Sequence, residues 1–432
     1  MSSNIGFREL DLTNNQVLWI SGPARINVVE GLAEVFGAKI KAGGLIIVKR
    51  FKSIYVKALG NCKIRISPSA YFKYVESDGI PIEWHNLMSE IINFKGKIMV
   101  IGGIDSGKNT LVTFLSNQLL DLGFRVGVLD TDVGQNELGP PTTMTLGLVH
   151  NPIVSLDQLK LIDCVFIGST SPAYACNEIL IGLKKLIDSV NKLDLDYLLI
   201  NTTGWISNGG VKFKIEKINL IKPNIIIGIQ RENELEPIFQ SISNNFKVYR
   251  IPPSQMVRAR DRYDRKMIRQ MNYSKWFSDA TNKKINIHDV TIFEPNIFNG
   301  VYVDSENLCY LSKIVNVDLA TSIINRDKLL IFPYKDVEID ESLKIKIASE
   351  FKVNKCIFIP ISNLISLLIG FQDLSNDRFL GLGIITNLNF NDGWLQVYTN
   401  ANLSTCNLKI IFGSVRLNPL TFDEIGFFKI KI

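Results

Sequence analysis

Residues 97–110 read Lys-Ile-Met-Val-Ile-Gly-Gly-Ile-Asp-Ser-Gly-Lys-Asn-Thr and constrain the fold more than any other stretch of the chain. An apolar run leads into a glycine loop, and apolar residues then recur at helical spacing up to residue 122. Residues 102–108 fit G-x-x-x-x-G-K, a loop whose backbone N–H groups surround phosphate oxygens and whose lysine reaches the β and γ phosphates. The sequence therefore predicts a nucleoside triphosphate site at the start of a helix. Its predicted members are Gly102, Gly103, Ile104, Asp105, Ser106, Gly107, Lys108, Asn109 and Thr110.

The pattern around this loop divides the chain into three parts. Residues 1–90 contain short Val- and Ile-rich runs between turn signals, which predict an all-β domain. Residues 91–285 alternate strands with amphipathic helices, which predicts an α/β domain with a parallel sheet. Residues 286–432 return to short β runs, so a second all-β domain is expected there. The five strands predicted for the central sheet are 97–101, 125–129, 163–167, 197–201 and 224–229.

Composition narrows the class of protein. At 432 residues the chain is long enough for two or three domains, and 46% hydrophobic with 21% charged residues is typical of a folded protein. The six cysteines form no C-x-x-C pair and the three histidines are far apart, so neither disulfides nor a zinc site is expected. No signal-peptide pattern and no apolar run of ~18 residues occurs, and we expect a soluble cytoplasmic protein without membrane contact.

Two carboxylates follow the second predicted strand of the central domain, in Asp-Thr-Asp-Val-Gly-Gln at 130–135. Opposite a phosphate loop, such a pair suits magnesium binding and activation of an attacking hydroxyl. We expect Asp132 to act as general base and Asp130 to hold metal-bound water, although spacing alone leaves the two roles open. The alternative is a polar turn in which the aspartates only cap a helix.

Polar segments also follow the third and fourth predicted strands. Thr170 and Ser171 come after the third, and Thr203, Gly204 and Trp205 come after the fourth. Hydroxyl groups and an indole ring at the end of a strand suit hydrogen bonding to, and stacking on, a nucleotide. The alternative for the tryptophan is that it covers the edge of a core.

Five arginines lie within residues 257–269, against two aspartates. On a helix, Arg258, Arg262, Arg265 and Arg269 fall on one face. Such a stripe suits closure over a transferring phosphoryl group or contact with a nucleic-acid backbone, and the alternative is a solvated helix face. Arg260 belongs to the same segment.

One motif of GTPases also occurs in the sequence. Asn191-Lys-Leu-Asp matches the N-K-x-D signature of guanine recognition, but it ends a predicted helix and precedes a strand, whereas in GTPases it follows a strand. This context argues against a GTPase.

Taken in order, these motifs resemble those of the P-loop polynucleotide 5′-hydroxyl kinases of pre-mRNA cleavage, tRNA splicing and pre-rRNA processing, in an archaeal form. The segments that match are 102–110, 130–135, 168–172, 202–205 and 258–269. The resemblance implies a central P-loop kinase domain between two β domains, with ATP and Mg²⁺ as cofactors. It also implies phosphoryl transfer to the 5′-hydroxyl end of single-stranded RNA, with DNA as another acceptor and RNA-processing proteins as partners.

The resemblance further implies roles for individual residues. Lys108 would bind the phosphates, Asp132 would be the base, and Gln135 would help to position metal and water. Arg258 and Arg265 would close over the triphosphate as catalytic lid arginines. Substrate contacts would come from Thr170, Ser171, Thr203, Gly204, Trp205, Arg260 and Arg262.

One position departs from the family pattern. The family has Ser or Thr after the lysine, where the hydroxyl contacts magnesium, and this chain has Asn109. Its amide oxygen is a suitable but bulkier ligand for a hard cation, so Asn109, Asp130 and Gln135 form the predicted metal set. Two alternatives therefore stay open: a non-catalytic ATP-binding scaffold of an RNA-processing complex, and an unrelated P-loop ATPase or small-molecule kinase.

Overall fold

The structure, a computed structural model, describes residues 6–242, 246–254, 259–293, 297–404 and 407–430. The chain divides into two units, Met1–Arg269 and Gln270–Ile432. Among the described residues, no helix combines the length and the apolar character that a bilayer crossing requires. The three-domain division with boundaries near residues 90 and 285 stays a prediction.

The described residues before the central sheet form nine strands: β1 (Arg8–Leu12), β2 (Val17–Ser21), β3 (Ala24–Glu30), β4 (Leu32–Val35), β5 (Ala38–Lys41), β6 (Leu45–Val48), β7 (Ser53–Ala58), β8 (Cys62–Ile66) and β9 (Tyr71–Val75). They pair in two sheets, with the orders β1-β8-β3-β6 and β5-β4-β7-β2-β9. Buried and exposed residues alternate along β6, so one face of the strand is turned to the core. Leu18, Ile26 and Ile64 lie in that core, and the predicted β character of this region is confirmed.

The central elements follow in chain order: α1 (Ile82–Ile91), β10 (Gly96–Gly102), α2 (Lys108–Asp121), β11 (Val126–Asp130), β12 (Thr143–Leu148), β13 (Lys160–Phe166), α3 (Cys176–Val190), β14 (Tyr197–Asn201), α4 (Gly209–Ile221), β15 (Ile225–Ile229), α5 (Glu236–Phe239), β16 (Lys247–Ile251) and α6 (Arg262–Trp276). Helices α1 and α2 cover one face of the sheet, and α3 and α4 cover the other, so each face buries its own apolar core. The predicted α/β class is confirmed.

The seven central strands have the order β13-β12-β11-β14-β10-β15-β16. Strands β11, β14, β10, β15 and β16 are parallel, and β12 pairs antiparallel with both β11 and β13. Strand β13 therefore runs in the same direction as the parallel set. All five predicted strands occur, and their carboxyl ends lie at one edge of the sheet. Strands β12 and β16 were not predicted.

The second unit is rich in strands, as expected, and also contains helices that were not predicted. Its elements are β17 (Thr281–Asn286), β18 (Thr291–Phe293), β19 (Val301–Tyr302), α7 (Ser305–Val315), β20 (Leu319–Asn325), β21 (Lys328–Pro333), α8 (Glu341–Glu350), β22 (Lys355–Phe358), α9 (Ile361–Leu364), β23 (Leu367–Asp373), β24 (Arg378–Asn389), β25 (Trp394–Thr399), β26 (Leu408–Leu417) and β27 (Glu424–Phe427). One sheet has the order β17-β25-β24-β23-β26-β18, with β27 beside β26, and the other is β19-β20-β21-β22. Helix α7 begins at a cap in which the Asp304 side chain accepts from the Asn307 backbone N–H.

Candidate active site

The phosphate loop connects β10 to α2 in a conformation that requires glycine. Gly107 has φ +93°, and a Cβ on Gly102 would lie 2.5 Å from Ser106 Oγ and 2.9 Å from the Ile229 carbonyl oxygen. Lys108 begins α2, and its Nζ donates to the Gly103 carbonyl oxygen at 2.5 Å. Burial lowers the pKa of Lys108 to about 8, with the carboxylates of Asp132 and Asp105 acting in the opposite direction. The loop thus surrounds a buried amino group.

A cavity of about 390 Å³ lies at the carboxyl edge of the sheet, beside this loop. The predicted residues that line it are Ile104, Asp105, Ser106, Gly107, Lys108, Asn109, Thr110, Asp132, Gln135, Thr170, Thr203, Gly204, Trp205, Arg260 and Arg265. Gly134, Pro172, Ser207 and Arg269 complete the lining. The loops after four different strands thus meet at one cavity, as the strand order requires.

Asp130 ends β11 and is fully buried between hydrogen-bond donors. Its carboxylate accepts from the backbone N–H groups of Asp132 (3.1 Å) and Glu137 (3.3 Å) and from Asn201 Nδ2 (2.9 Å). Asn201 Nδ2 also donates to Asn109 Oδ1 at 3.2 Å. Burial, with the charge of Asp132, raises the pKa of Asp130 to about 7. A cation beside Asp130 would favour its ionised form.

The oxygen atoms gathered here suit a magnesium ion that Asn109 contacts directly. Asn109 lines the cavity and offers an amide oxygen, whereas Asp130 is fully buried and does not line it, so its carboxylate would act through metal-bound water. Asn201 Nδ2 donates to both of these oxygens. Asn201 Oδ1 is buried and has no hydrogen-bond partner in the described part of the chain. Mg²⁺ is held by one or two carboxylates together with substrate phosphates and waters, and this donor set is of that kind.

Asp132 lines the same cavity as the phosphate loop. Its Oδ1 accepts from the backbone N–H groups of Gly134 (3.1 Å) and Gln135 (3.2 Å), which fix the carboxylate in a tight turn. Gln135 Nε2 donates to its neighbour's carbonyl oxygen at 2.9 Å and to the Arg265 carbonyl oxygen at 3.4 Å. The turn that presents Asp132 therefore also contacts the arginine segment.

The residues after β14 pack closely against the phosphate loop. A Cβ on Gly204 would lie 2.8 Å from the Ile104 backbone nitrogen, so only glycine allows the two loops to approach this closely. Trp205 packs on Phe213 of α4, with ring centroids 5.8 Å apart, and also lines the cavity. On the opposite side, a Cβ on Gly134 would lie 2.7 Å from the Thr170 carbonyl oxygen. Ser171, the neighbour of Thr170, does not line the cavity.

The arginine segment is joined to the phosphate loop through Asp105. The backbone N–H of Arg260 donates to Asp105 Oδ2 at 2.9 Å, and Arg265 Nη1 lies 3.3 Å from the same oxygen. Arg260 Nε is buried and has no hydrogen-bond partner within the residues that the structure describes. Arg262 is exposed and does not line the cavity. Arg258, the other arginine predicted to be catalytic, lies outside the described residues.

Comparison with known proteins assigns the chain to a family. The family model described as "mRNA cleavage and polyadenylation factor CLP1 P-loop" matches residues 102–279. A polyribonucleotide 5′-hydroxyl-kinase of Pyrococcus abyssi is 31% identical over 337 residues, which are 78% of this chain and 92% of that protein. One of Methanocaldococcus jannaschii is 31% identical, over 76% of this chain and 88% of that protein. The chain belongs to the polyribonucleotide 5′-hydroxyl-kinase family.

The fold of this polyribonucleotide 5′-hydroxyl-kinase family member is also found among solved structures. The structure of a wild-type Clp1p–Pcf11p complex aligns over 96% of this chain and 99% of that chain, with a TM-score of 0.64 and 14% identity. This likeness concerns the fold, and it extends over both units.

Two polar residues of the site were not predicted from the sequence of this family member. Asn201 is the last residue of β14, and its position at a strand end was a usable signal. Glu137 lies two residues beyond the Asp130–Gln135 motif, and its Oε1 accepts from Asn109 Nδ2 at 2.8 Å. Burial acts to raise the pKa of Glu137, but the ion pair with Lys52 outweighs it and holds that pKa below its usual range.

Two fully buried lysines of α4 were also not predicted from the sequence as parts of the site. Lys214 Nζ donates to the Thr203 carbonyl oxygen at 2.6 Å, and Lys217 Nζ donates to Thr131 Oγ1 at 2.6 Å. Burial lowers the pKa of Lys217 to about 8 and that of Lys214 well below its ordinary value. These lysines donate hydrogen bonds to the two loops that contain Thr203 and Asp132, and so help to hold both loops in place.

Proposed function

We propose that this protein transfers the γ-phosphoryl group of ATP to the 5′-hydroxyl end of single-stranded RNA, with DNA as a second acceptor. The observation that carries the proposal is the placement of Lys108 and Asp132 on one cavity, in a chain of this kinase family. A phosphate-binding cation and a carboxylate base are the two groups that this reaction needs most. Action in RNA processing with protein partners, in the cytoplasm, belongs to the same proposal.

Asp132 is proposed as the general base. Both backbone donors bind its Oδ1, and Oδ2 accepts no hydrogen bond within the described residues. As the acceptor's 5′-oxygen forms its bond to the γ-phosphorus, the bond from that phosphorus to the β,γ-bridging oxygen breaks. ADP leaves, and the hydroxyl proton passes to the Asp132 carboxylate.

Charge stabilisation is proposed for Lys108 and the arginine segment. The Lys108 ammonium and the loop N–H groups would hold the β and γ phosphates. Arg260 Nε, which has no hydrogen-bond partner among the described residues, and the guanidinium of Arg265 would bind the oxygens of the transferring group. Asn109 would hold Mg²⁺ and Asp130 would hold its bound water, and the ion supplies neutralisation of phosphate charge when bound. Gln135 would help to orient that ion and its water.

Acceptor binding is proposed for the rim of the cavity. The indole of Trp205 would stack on the terminal base, since base–aromatic stacking contributes about 1–3 kcal/mol per base. Thr170 and Thr203 would bind the terminal nucleotide by hydrogen bonds. The exposed Arg262 would contact RNA further from the end.

The non-catalytic scaffold stays as the second candidate because Asn109 occupies the position where the family has Ser or Thr. A scaffold would bind ATP without needing a base or an arginine segment, and this chain has both.

Label transfer tests the proposal. The γ-labelled ATP is incubated with matched 5′-hydroxyl RNA and DNA oligonucleotides, with Lys108→Ala and the exposed-site control Lys192→Ala. We expect label on the oligonucleotide that is lost in Lys108→Ala and kept in Lys192→Ala. Bound ATP without transfer would favour the scaffold. Phosphate release that does not depend on an oligonucleotide would favour an unrelated ATPase.

A further inference from the structure

A line of polar side chains joins the N-terminal β strands to the start of α2. Lys52, between β6 and β7, places its Nζ 2.6 Å from Glu137 Oε2. Glu137 Oε1 accepts from Asn109 Nδ2 at 2.8 Å, and Asn109 Oδ1 accepts from Asn201 Nδ2 at 3.2 Å. The last link is the 2.9 Å bond from Asn201 Nδ2 to Asp130. Each of these residues is within hydrogen-bond or ion-pair distance of the next.

Asn109 differs from Ser or Thr because its two ends are chemically opposite. A hydroxyl both donates and accepts and can rotate to suit a cation, whereas an amide presents either an oxygen or an NH₂ group. If the Asn109 amide were reversed, its NH₂ group would meet the NH₂ group of Asn201, and no amide oxygen of Asn109 would be offered to a cation. An asparagine at this position therefore needs something that fixes its orientation.

The carboxylate of Glu137 can fix the orientation of the Asn109 amide. An ionised carboxylate only accepts hydrogen bonds, so the Asn109 end that faces it must be the NH₂ group. The Asn109 oxygen is then turned towards Asn201 and Asp130. Lys52 lies on the far oxygen of Glu137, and Ser155 Oγ donates to that oxygen at 3.1 Å. The Glu137 side chain is 13% exposed and that of Lys52 is 22% exposed, so solvent screens this pair little.

We propose that Lys52 and Glu137 are positioning residues, which hold the Asn109 amide with its oxygen towards the magnesium site. The inference rests on the metal site of the proposed function and extends it to the N-terminal β strands. In this arrangement the asparagine is a functional substitute for the hydroxyl, because the Lys52–Glu137 pair at its NH₂ end and Asn201 Nδ2 at its oxygen end give the amide one orientation.

A double-mutant cycle on metal binding tests this without using catalysis. Mn²⁺ binding in the presence of AMP-PNP is measured by electron paramagnetic resonance for Glu137→Gln, Asn109→Ser and the double variant. Glutamine can offer either end to Asn109, so Glu137→Gln should raise the Mn²⁺ Kd about tenfold, as losses of ligand-orienting contacts do. In the Asn109→Ser background the same change should alter the Kd less than about twofold, since a hydroxyl needs no such orientation.

Lys52→Met should weaken Mn²⁺ binding in the same direction, and Lys39→Met is its matched control. Lys39 pairs with Asp121 at 2.8 Å in another ion pair of the β strands with the central elements, at the far end of α2 from Asn109. We expect Lys39→Met to leave the Mn²⁺ Kd unchanged, with thermal unfolding followed for each variant.

Equal weakening by Glu137→Gln in both backgrounds would overturn the inference, because the effect would then not pass through the amide. Absence of any weakening would also overturn it. Label transfer by the wild type is measured separately, so that failure of this positioning role is distinguished from failure of the kinase function.

Discussion

The guanidinium of Arg265 lies 3.3 Å from the carboxylate of Asp105, inside the phosphate loop. The Arg260 backbone N–H donates to the same oxygen, so the arginine segment is attached to the loop through one acidic side chain. A bound nucleoside triphosphate would add its own negative charge beside Asp105 and Arg265. Asp105 and the phosphates would then compete for Arg265.

Asp105→Asn should raise the affinity for ATP. The amide oxygen can still accept from Arg260, while the negative charge beside the phosphates is removed. We expect ATP to bind about 3- to 10-fold more tightly by titration calorimetry, with a gain of roughly 0.7–1.4 kcal/mol. Asp121→Asn, at the other end of α2, is the control. Weaker binding by Asp105→Asn would mean that the ion pair with Arg265 is needed to shape the loop.

Asp132→Asn should lower the turnover number for phosphoryl transfer by at least about 10²-fold, because an amide cannot take the hydroxyl proton. ATP affinity should change little, since the loop contacts are untouched. Single-turnover transfer and calorimetry measure the two effects separately. The exposed Asp188→Asn serves as the control, and near-wild-type turnover in Asp132→Asn would remove this residue from the role of base.

Gly204→Ala should impair both stability and transfer. The added Cβ would lie 2.7–2.8 Å from three atoms of Ile104, two of them backbone, so the phosphate loop must move away. Overpacking of this kind costs about 1–3 kcal/mol in the free energy of unfolding, which urea titration measures. Gly426→Ala is the control, because nothing lies within 4 Å of its added Cβ. An unchanged unfolding free energy would show that the loops separate without cost.

Replacement of Lys217 by methionine should change how stability depends on pH. The pKa of Lys217 is lowered to about 8, below the ordinary ~10.4, so between these values the unfolded chain binds more protons than the folded one. The free energy of unfolding of the wild type relative to Lys217→Met should therefore rise by about 1–3 kcal/mol from pH 8 to pH 10. Lys212→Met, at an exposed position of the same helix, should show no such slope relative to the wild type. A flat difference for Lys217→Met would contradict the prediction.

Arg262→Gln and Arg265→Gln should have different effects. Arg262 is exposed, and if it contacts an RNA phosphate its loss should reduce the log–log salt slope of RNA binding by about 0.7. Arg265 lines the cavity, so its loss should lower the turnover number and leave that slope nearly unchanged. Fluorescence anisotropy over a salt series and label transfer separate the two. An unaltered slope in Arg262→Gln would place this arginine away from RNA.

Much of the site could be predicted because it depends on local order along the chain. A strand followed by a polar turn recurs in the central domain, and parallel strands bring their carboxyl ends to one edge. Asp132, Thr203 and Trp205 therefore meet the phosphate loop although up to 103 residues separate them from Gly102 in sequence. Strand β12 was missed because it is antiparallel and only a short 3-10 helix, Leu156–Gln158, connects it to β13.

The parts that could not be predicted depend on contacts between distant segments. Glu137 is paired with Lys52, which lies 85 residues earlier, and no local sequence pattern predicts that pairing. Lys214 and Lys217 look like members of a polar helix face, since Lys212 and Glu216 lie beside them in sequence. Their burial is decided by the backbone and hydroxyl acceptors above α4, which become visible only in three dimensions.

The Lys49–Asp157 and Lys52–Glu137 pairs also bear on how such a protein can be divided or recombined. Asn117 of α2 adds a third link, since its Nδ2 donates to the Phe36 carbonyl oxygen at 2.8 Å. A chain cut near residue 90 would keep every phosphate-loop residue and yet leave two shielded carboxylates without their cations. The N-terminal strands thus belong to one compact unit with the phosphate loop, and a β module grafted in their place would have to reproduce two lysines at these positions.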